Sequence, residues 1–464
     1  MKIHFLGATR TTTGSMYLLE VNGKNLLLEC GMFQGRREET TRRNTSFPLD
    51  PKQIDAVVLS HAHIDHAGNL PNLAKQGYAG PIHCTDATRD LCSIMLIDSA
   101  HIQEQDALFV SKWRAKKHQP AVEPLYRVPD AEKAVKQLVS HGYEETFSPV
   151  DGVNITFRDA GHILGSAQVI LDVQERGRKF RWLFSGDIGR GHDELLRDPG
   201  SVENVDYLQI ESTYGNREHA ERIDADAVVA KLVGETLAQR GKVIIPAFSV
   251  GRTQQIVYVL HELTCAGKLP RVPIFVDSPL STRASGVYTR HRDILRPDLD
   301  ATLCGGDRPF EMGNLTYITD AEESKKLNDR NEPMIIISAS GMAEAGRIRH
   351  HLKNNIGDKK TLLLFIGYCA EGTLGNQIIA GKTPVNIFGE PYAVKAKVTF
   401  LDTYSGHADK NELKRYVEKL SGNIKKIFCI HGEEPQCLAH AETLRAMKPN
   451  AQVIVPEYQQ MVEI

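Results

Sequence analysis

Residues 60–68 read Ser-His-Ala-His-Ile-Asp-His-Ala-Gly, and no other stretch constrains the fold as tightly. His61, His63, Asp65 and His66 fall within six positions, directly after Ile54-Asp55-Ala56-Val57-Val58-Leu59-Ser60. That apolar, β-branched run reads as a buried strand. Four ligand-type side chains therefore leave one strand end in one tight turn. A hydrophobic core has no use for them. A metal site does, because imidazole and carboxylate suit zinc and its neighbours.

Other strand ends offer partners. His162 sits between strands 153–159 and 167–173, in Gly161-His162-Ile163-Leu164-Gly165. Asp187 closes the strand ending at Ser185, in Ser-Gly-Asp-Ile-Gly, and Glu211 ends the strand 207–211. His407 and His431 each follow an apolar strand, 396–401 and 425–430, and each is flanked by glycine. Functional groups carried on strand ends are the expected design of a site on a rigid scaffold. The arithmetic fits two metals, since a catalytic zinc takes about three protein ligands and keeps a position open. His61, His63 and His162 supply one set, and Asp65, His66 and His431 the other. Asp187 is placed to bridge, one carboxylate having two oxygens. Zinc is favoured over magnesium because five of the seven proposed ligands are imidazoles. Two such ions, about 3.5–4 Å apart, clamp an in-line displacement at phosphorus. On residue context alone, His162 and Asp187 stand evenly between ligand and ordinary turn residue. Isolated histidines such as His4, His83, His101 and the His350-His351 pair read as surface or hydrogen-bonded side chains.

The chain has 464 residues, more than one ordinary core, so at least two domains are expected. A net charge of −2 gives no global basic field, so a nucleic-acid partner must be held by a local groove. The N-terminus enters a strand pattern with no apolar run of signal length. The longest apolar runs, such as Leu362-Leu363-Leu364-Phe365-Ile366, are far too short for a bilayer. Eight scattered cysteines without a C-x-x-C pair read as reduced, mostly buried thiols of a cytoplasmic protein.

Asp86 to about Val110 reads as a long helix, and the basic stretch from Ser111 to Pro129 as a solvated loop in preference to a nucleic-acid contact. After about residue 212 strands alternate with helices, which argues for a parallel α/β sheet. The expected organisation is one domain, 1–208 plus 395–464, interrupted by an α/β insert at 209–394.

The order His-x-His-x-Asp-His, His, Asp and a late His resembles the metallo-β-lactamase superfamily, whose fold is an αββα sandwich. Glu211 in Ile-Glu-Ser-Thr-Tyr-Gly, His407 in Tyr-Ser-Gly-His-Ala-Asp and His431 in Ile-His-Gly-Glu resemble motifs A, B and C of its β-CASP nucleases. So do Ile245-Pro246-Ala247-Phe248 with Gly251-Arg252, Ala339-Ser340-Gly341-Met342 and the run from Gly367 to Gly375. The resemblance covers nearly the whole chain and is strongest to bacterial and archaeal relatives of the endonuclease that cuts pre-mRNA at its 3′ end. It implies an inserted β-CASP α/β domain with a mostly parallel sheet, capping the metal cleft. It implies that His61, His63, Asp65, His66, His162, Asp187 and His431 hold two zinc ions per chain. His407 then resembles the residue that protonates the leaving oxygen and Glu211 the carboxylate that orients it, with Asp65 counted beside them as catalytic. Ser340, Gly341 and Ser405 would cradle a substrate phosphate, although turn chemistry explains these serines equally well. DNA-processing members tend to carry an aliphatic residue at motif C, so His431 favours RNA.

The implied activity is a dizinc endoribonuclease on single-stranded RNA, with 5′-to-3′ exonuclease action as a secondary mode. The implied setting is RNA processing or decay in the cytoplasm, away from membranes, and relatives often form homodimers. The alternative is a metallo-hydrolase of a small ester or thioester on the same scaffold, which would not need the insert, Glu211 or His407. Two departures stand out. Glu29-Cys30-Gly31 replaces the usual Asp-Cys-Gly, read as tuning that touches no proposed ligand, and Cys369 stands where relatives often have Gln.

Overall fold

In a computed structural model the chain is described at every residue except 36, 220–224, 300, 302, 305, 306, 368, 370 and 371. Positions 368, 370 and 371 of the Gly367–Gly375 motif, and the first two residues of a helix expected over 223–240, thus lie outside the described residues. The chain divides into two compact units. Met1–Gly191, Asp198–Glu218 and His407–Ile464 form the first, and His192–Arg197 with His219–Gly406 the second.

The first unit is built on two seven-stranded sheets. One begins as an antiparallel meander, in which Lys2–Phe5, Tyr17–Val21 and Lys24–Leu28 pair in turn. Asn22-Gly23 closes the tight turn, Asn22 at φ 49° and Gly23 at φ 75°. The sheet then turns parallel through Ala56–Val58, Ile82–Thr85 and Leu138–His141. The other sheet mirrors this plan. Antiparallel strands Thr146–Val150, Val153–Asp159, Ala167–Glu175 and Arg178–Phe184 are followed by parallel Tyr207–Glu211, Lys426–Ile430 and Gln452–Ile454. Alternate side chains of both sheets meet in one core: Phe5, Tyr17, Leu28 and Val58 against Phe157, Val169, Trp182 and Phe428. The outer face of the second sheet, with Leu208 and Ile427, is covered by Leu413 and Val417 of helix Lys410–Lys419 and by Ala441 and Leu444 of helix Glu434–Met447. On the first sheet's side, helix Asp86–Ala115 touches strands Ile82–Thr85 and Leu138–His141. This is the αββα sandwich that the motif order implies.

The second unit holds a six-stranded sheet, all of its pairings parallel, in the order Leu315–Ile318, Ile274–Asp277, Met334–Ser338, Lys242–Pro246, Leu362–Ile366, Lys397–Leu401. Its four inner strands are buried, near-continuous apolar runs, as strands covered on both faces require.

Three expectations shift. Strand 397–401, read as the return to the first domain, pairs with Leu362–Ile366 and completes the insert's sheet. The unit boundaries accordingly fall at Glu218 and His407 rather than at 208 and 395. Ser111–Ala115 continues the long helix, and a further helix at Val128–Lys136 follows where only a loop was expected to end. The cysteines are not all free thiols, because Cys265 and Cys304 are bonded with their Cα atoms 5.3 Å apart. Their 39-residue separation hides that proximity in the sequence. Among the described residues no helix is long and apolar enough to cross a membrane.

Candidate metal centre

The parallel pairing of three strands positions half of the site. Arg178–Phe184, Tyr207–Glu211 and Lys426–Ile430 run side by side, so the residues just past their C-terminal ends share one edge. Those residues are Asp187, Glu211 and His431. The His162 turn joins them from Val153–Asp159, which points the same way. The opening cluster arrives from the other sheet. Ser60 donates no backbone room to spare: a Cβ on Gly186, at φ 55°, would stand 2.7 Å from the Ser60 Cβ, so only glycine permits this approach. Backbone bonds then pin the turn, from Ala167 N–H to Ser60 O at 2.8 Å and from Ser15 N–H to Asp65 O at 2.8 Å. His431, itself at φ 48°, donates its N–H to Ala8 O at 2.8 Å.

The seven proposed ligands are brought together. His61, His63, His162 and Asp187 each present a donor atom within 4.8 Å of the others, and so do Asp65, His66 and His431. Imidazole nitrogens face one another at 3.1 Å between His61 and His63, His63 and His162, and His66 and His431. Nitrogens sharing one tetrahedral zinc at about 2.0–2.1 Å would stand about 3.3 Å apart, so the spacing fits a common ion. Asp187 supplies the sharper test. It is 2% exposed, and neither of its oxygens accepts a hydrogen bond. Imidazole nitrogens of His61, His66, His162, His407 and His431 nevertheless lie 3.3–3.8 Å from them. A buried carboxylate without hydrogen bonds is costly, and a cation between it and the imidazoles removes that cost. The residues present therefore fit zinc.

Protonation tendencies agree. Burial raises the Asp187 carboxyl, but His431, His66 and His61 outweigh it and hold it well below the usual carboxylate range. Burial likewise opposes, and His66, His431 and His63 prevail, in holding Asp65 low. Burial pushes His63 down to about 4, leaving a neutral imidazole with a free lone pair.

His407 stands apart from the ligand groups. Its Nδ1 is 3.2 Å from Glu211 Oε2, and Glu211 Oε1 accepts the Ile188 N–H at 2.6 Å. Burial would lower the His407 pKa, but the Glu211 and Asp187 charges raise it above its ordinary value. The pair can hold a proton beside the metal centre.

Sequence reasoning missed two contacts. Glu29 is not remote from the ligands: its Oε2 pairs with His66 Nδ1 and accepts the Ser60 hydroxyl at 2.9 Å, while Oε1 accepts the Ser60 N–H at 2.6 Å. The longer carboxylate reaches the ring because Glu29 takes a left-handed conformation, φ 63°, beyond strand Lys24–Leu28. Thr213 Oγ1 similarly lies 3.2 Å from His431 Nδ1. Such contacts fix the ring orientation of a ligand. Only the Glu-Cys-Gly departure signalled the first, and nothing local marks the second.

Ser340, Gly341 and Ser405 belong to the second unit and are not among the clustered donors. Ser340 follows strand Met334–Ser338 and Ser405 follows Lys397–Leu401, so both leave the same edge of the parallel sheet. The Ser340 hydroxyl bonds within its own turn, 3.3 Å from Ala345 O. A Cβ on Gly341 would meet the Phe248 ring at 2.8 Å, which explains the glycine by packing.

Comparison with known proteins matches residues 9–230 to the metallo-β-lactamase superfamily, 253–378 to the Beta-Casp domain and 391–456 to the Zn-dependent metallo-hydrolase RNA specificity domain. Ribonuclease TTHA0252 of Thermus thermophilus is 37% identical over 96% of both chains. Transcription termination factor FttA of Methanocaldococcus jannaschii is 30% identical over 96% of this chain and 69% of its own. A crystal structure of an Enterococcus faecalis protein of unknown function, 13% identical, shares the fold over 99% of both chains with a TM-score of 0.57. With its sandwich, its insert and its histidine-rich strand ends, the chain belongs to the β-CASP family of the metallo-β-lactamase superfamily.

Proposed function

We propose that this chain is a dizinc ribonuclease that cuts single-stranded RNA endonucleolytically, with 5′-to-3′ exonuclease action as its secondary mode. The observation that carries the reading is the bond-free Asp187 carboxylate among five imidazoles, with the His407–Glu211 pair beside it. His61, His63 and His162 would hold one ion and Asp65, His66 and His431 the other, with the Asp187 carboxylate facing both groups. When bound, the ions supply Lewis acidity and a water that ionises near neutral pH. Glu211 accepts the Nδ1 proton of His407 and keeps the imidazolium populated, so that His407 can give a proton to the leaving oxygen. Glu29 holds His66 in the tautomer that leaves Nε2 for the metal. Ser340, Gly341 and Ser405 contact a substrate phosphate. RNA is favoured over DNA by His431 and by the relatives named ribonuclease and transcription termination factor. The enzyme works in the cytoplasm as a homodimer. A small ester or thioester hydrolase would have no use for the His407–Glu211 pair.

Pure protein incubated with end-labelled single-stranded RNA, matching DNA and a thioester tests this directly. Internal RNA cuts that vanish with a chelator and return with zinc are expected. Thioester turnover without RNA cleavage overturns the reading.

A further inference from the structure

Helix Asp86–Ala115 buries Leu91, Cys92, Met95, Leu96 and Ala100 along its first half, and its last buried residue is Ala107. Beyond that point large apolar side chains face solvent: Leu108 is 62% exposed, Phe109 74% and Trp113 53%. Phe109 and Trp113 are four residues apart and so lie one above the other on the helix surface. With Val110 and Arg114, and with Thr41 and Arg42 from helix Arg37–Thr45, they line an open groove of about 880 Å³. Arg42 and Arg114 line the groove with the rings, and Lys112, Lys116 and Lys117 lie within four residues of Trp113 along the chain, against Glu38 in the groove and Asp106 on the helix. The Lys117 ammonium already sits 3.8 Å from the centre of the Trp113 ring.

Large apolar side chains exposed together beside a groove and rimmed by charge mark an interaction surface. A second copy of the chain docking symmetrically would set this excess of positive charge against itself. A polyanion with flat apolar faces would not. Single-stranded nucleic acid meets both requirements, its bases stacking on aromatic rings and its phosphates drawing lysine and arginine. We propose that Phe109 and Trp113, with Arg42, Lys112, Arg114, Lys116 and Lys117 around them, form a stacking platform that grips the substrate RNA away from the metal centre. The proposal rests on the ribonuclease reading and adds a second point of attachment to it. The Cβ spacing of an i, i+4 pair, about 5–6 Å, presents the two rings to neighbouring bases of an unstacked strand. Stacking of this kind is tolerant of sequence and sensitive to salt.

The fold also sets a length requirement. The Ser99 hydroxyl is 2.8 Å from the Tyr126 hydroxyl, which donates to Gly68 O at the end of the metal loop at 2.9 Å. Phe109 lies ten residues further along the helix, about 15 Å at 1.5 Å per residue. At the roughly 5–6 Å spacing of bases on the two rings that distance takes about three internucleotide steps, so a dinucleotide cannot bridge it.

The chain has two tryptophans, and Trp182 is fully buried, so emission changes on adding RNA report Trp113. Titration with a uridine dodecamer should quench that emission saturably, less so at raised salt. In Trp113→Phe the response should disappear while cleavage persists, because a stacking ring remains. Phe109→Ala combined with Trp113→Ala should raise KM for the dodecamer about tenfold, with kcat and dinucleotide cleavage unchanged. An unchanged KM in the double variant, or no quenching at saturating RNA, overturns the platform. So does a fall from dimer to monomer mass in that variant with RNA affinity unchanged, which would assign the patch to a second copy. Wild-type protein that is quenched by RNA but never cleaves it would instead refute the ribonuclease reading and leave the platform standing.

Discussion

Asp187, in the first unit, and Asp277, in the second, are both buried carboxylates carried at a strand end near histidine. Asp277 closes strand Ile274–Asp277 and is fully buried. Its Oδ1 accepts from Arg347 Nη1 at 2.7 Å, and its Oδ2 lies 2.6 Å from His351 Nε2 and accepts the Ser324 hydroxyl at 2.5 Å. Asp187 follows strand Arg178–Phe184, is as well buried, and accepts nothing, with nitrogens of five imidazoles 3.3–3.8 Å away. Burial raises both carboxyls and both end below the ordinary range. Bonds from His351, Ser324 and Arg347 achieve this for Asp277, and the charges of His431, His66 and His61 for Asp187. The same ingredients thus make a finished ion cluster in one place and an incomplete one in the other. What distinguishes them is whether the protein supplies every partner or leaves room for a cation.

The contrast can be broken most decisively at Asp187. Asp187→Asn should abolish metal retention, measured by elemental analysis, and reduce RNA cleavage to background while the circular dichroism spectrum is kept. Two retained equivalents of zinc would erase the distinction drawn here. Next in size, His407→Ala should keep its zinc and lose about 10²–10⁴-fold in kcat, because it removes a proton donor and no ligand. Full activity would sink the acid assignment.

Asp277→Asn should leave zinc content untouched and destabilise the second unit by about 3 kcal/mol, since it strands a buried imidazole and a part-buried guanidinium. The sign of its pH dependence follows from the depressed carboxyl. A group whose folded pKa lies below its unfolded value stabilises above the unfolded value and loses that contribution as pH falls through the folded one. Wild-type protein should therefore lose more stability on acidification than Asp277→Asn does, as urea melts across the acid range would report. Equal losses would detach Asp277 from acid unfolding. The smallest effect sharpens the comparison from the side of the metal centre. Glu29→Gln should weaken zinc binding about 10–100-fold, because a neutral amide holds His66 less firmly. Unaltered affinity in a chelator competition would return Glu29 to a bystander.

Local patterns carried much of this molecule. Strands 153–159, 207–211, 242–246 and 334–338 were legible to the residue, because an apolar run between turn residues has few alternatives. Helix Asp86–Ala115 was legible at its start, where Thr85 accepts the Thr88 N–H as a cap, but not at its end. There the apolar side chains face solvent, and periodicity no longer reports a core. His351 was set aside as an ordinary hydrogen-bonded histidine, and its bond to Asp277 is of that kind.

The sequence by itself determined which residues could act as donors and which strand ends would carry them, since both follow from side-chain chemistry and short-range pattern. Motif order extended that to the fold family. Only the tertiary structure decided that strand 397–401 joins the insert, that Cys265 meets Cys304, that Glu29 reaches His66, and that Asp187 is left without hydrogen bonds where Asp277 is not. Each is a contact between residues far apart in the chain. Its energy depends on distances of a few tenths of an ångström, which no local pattern encodes.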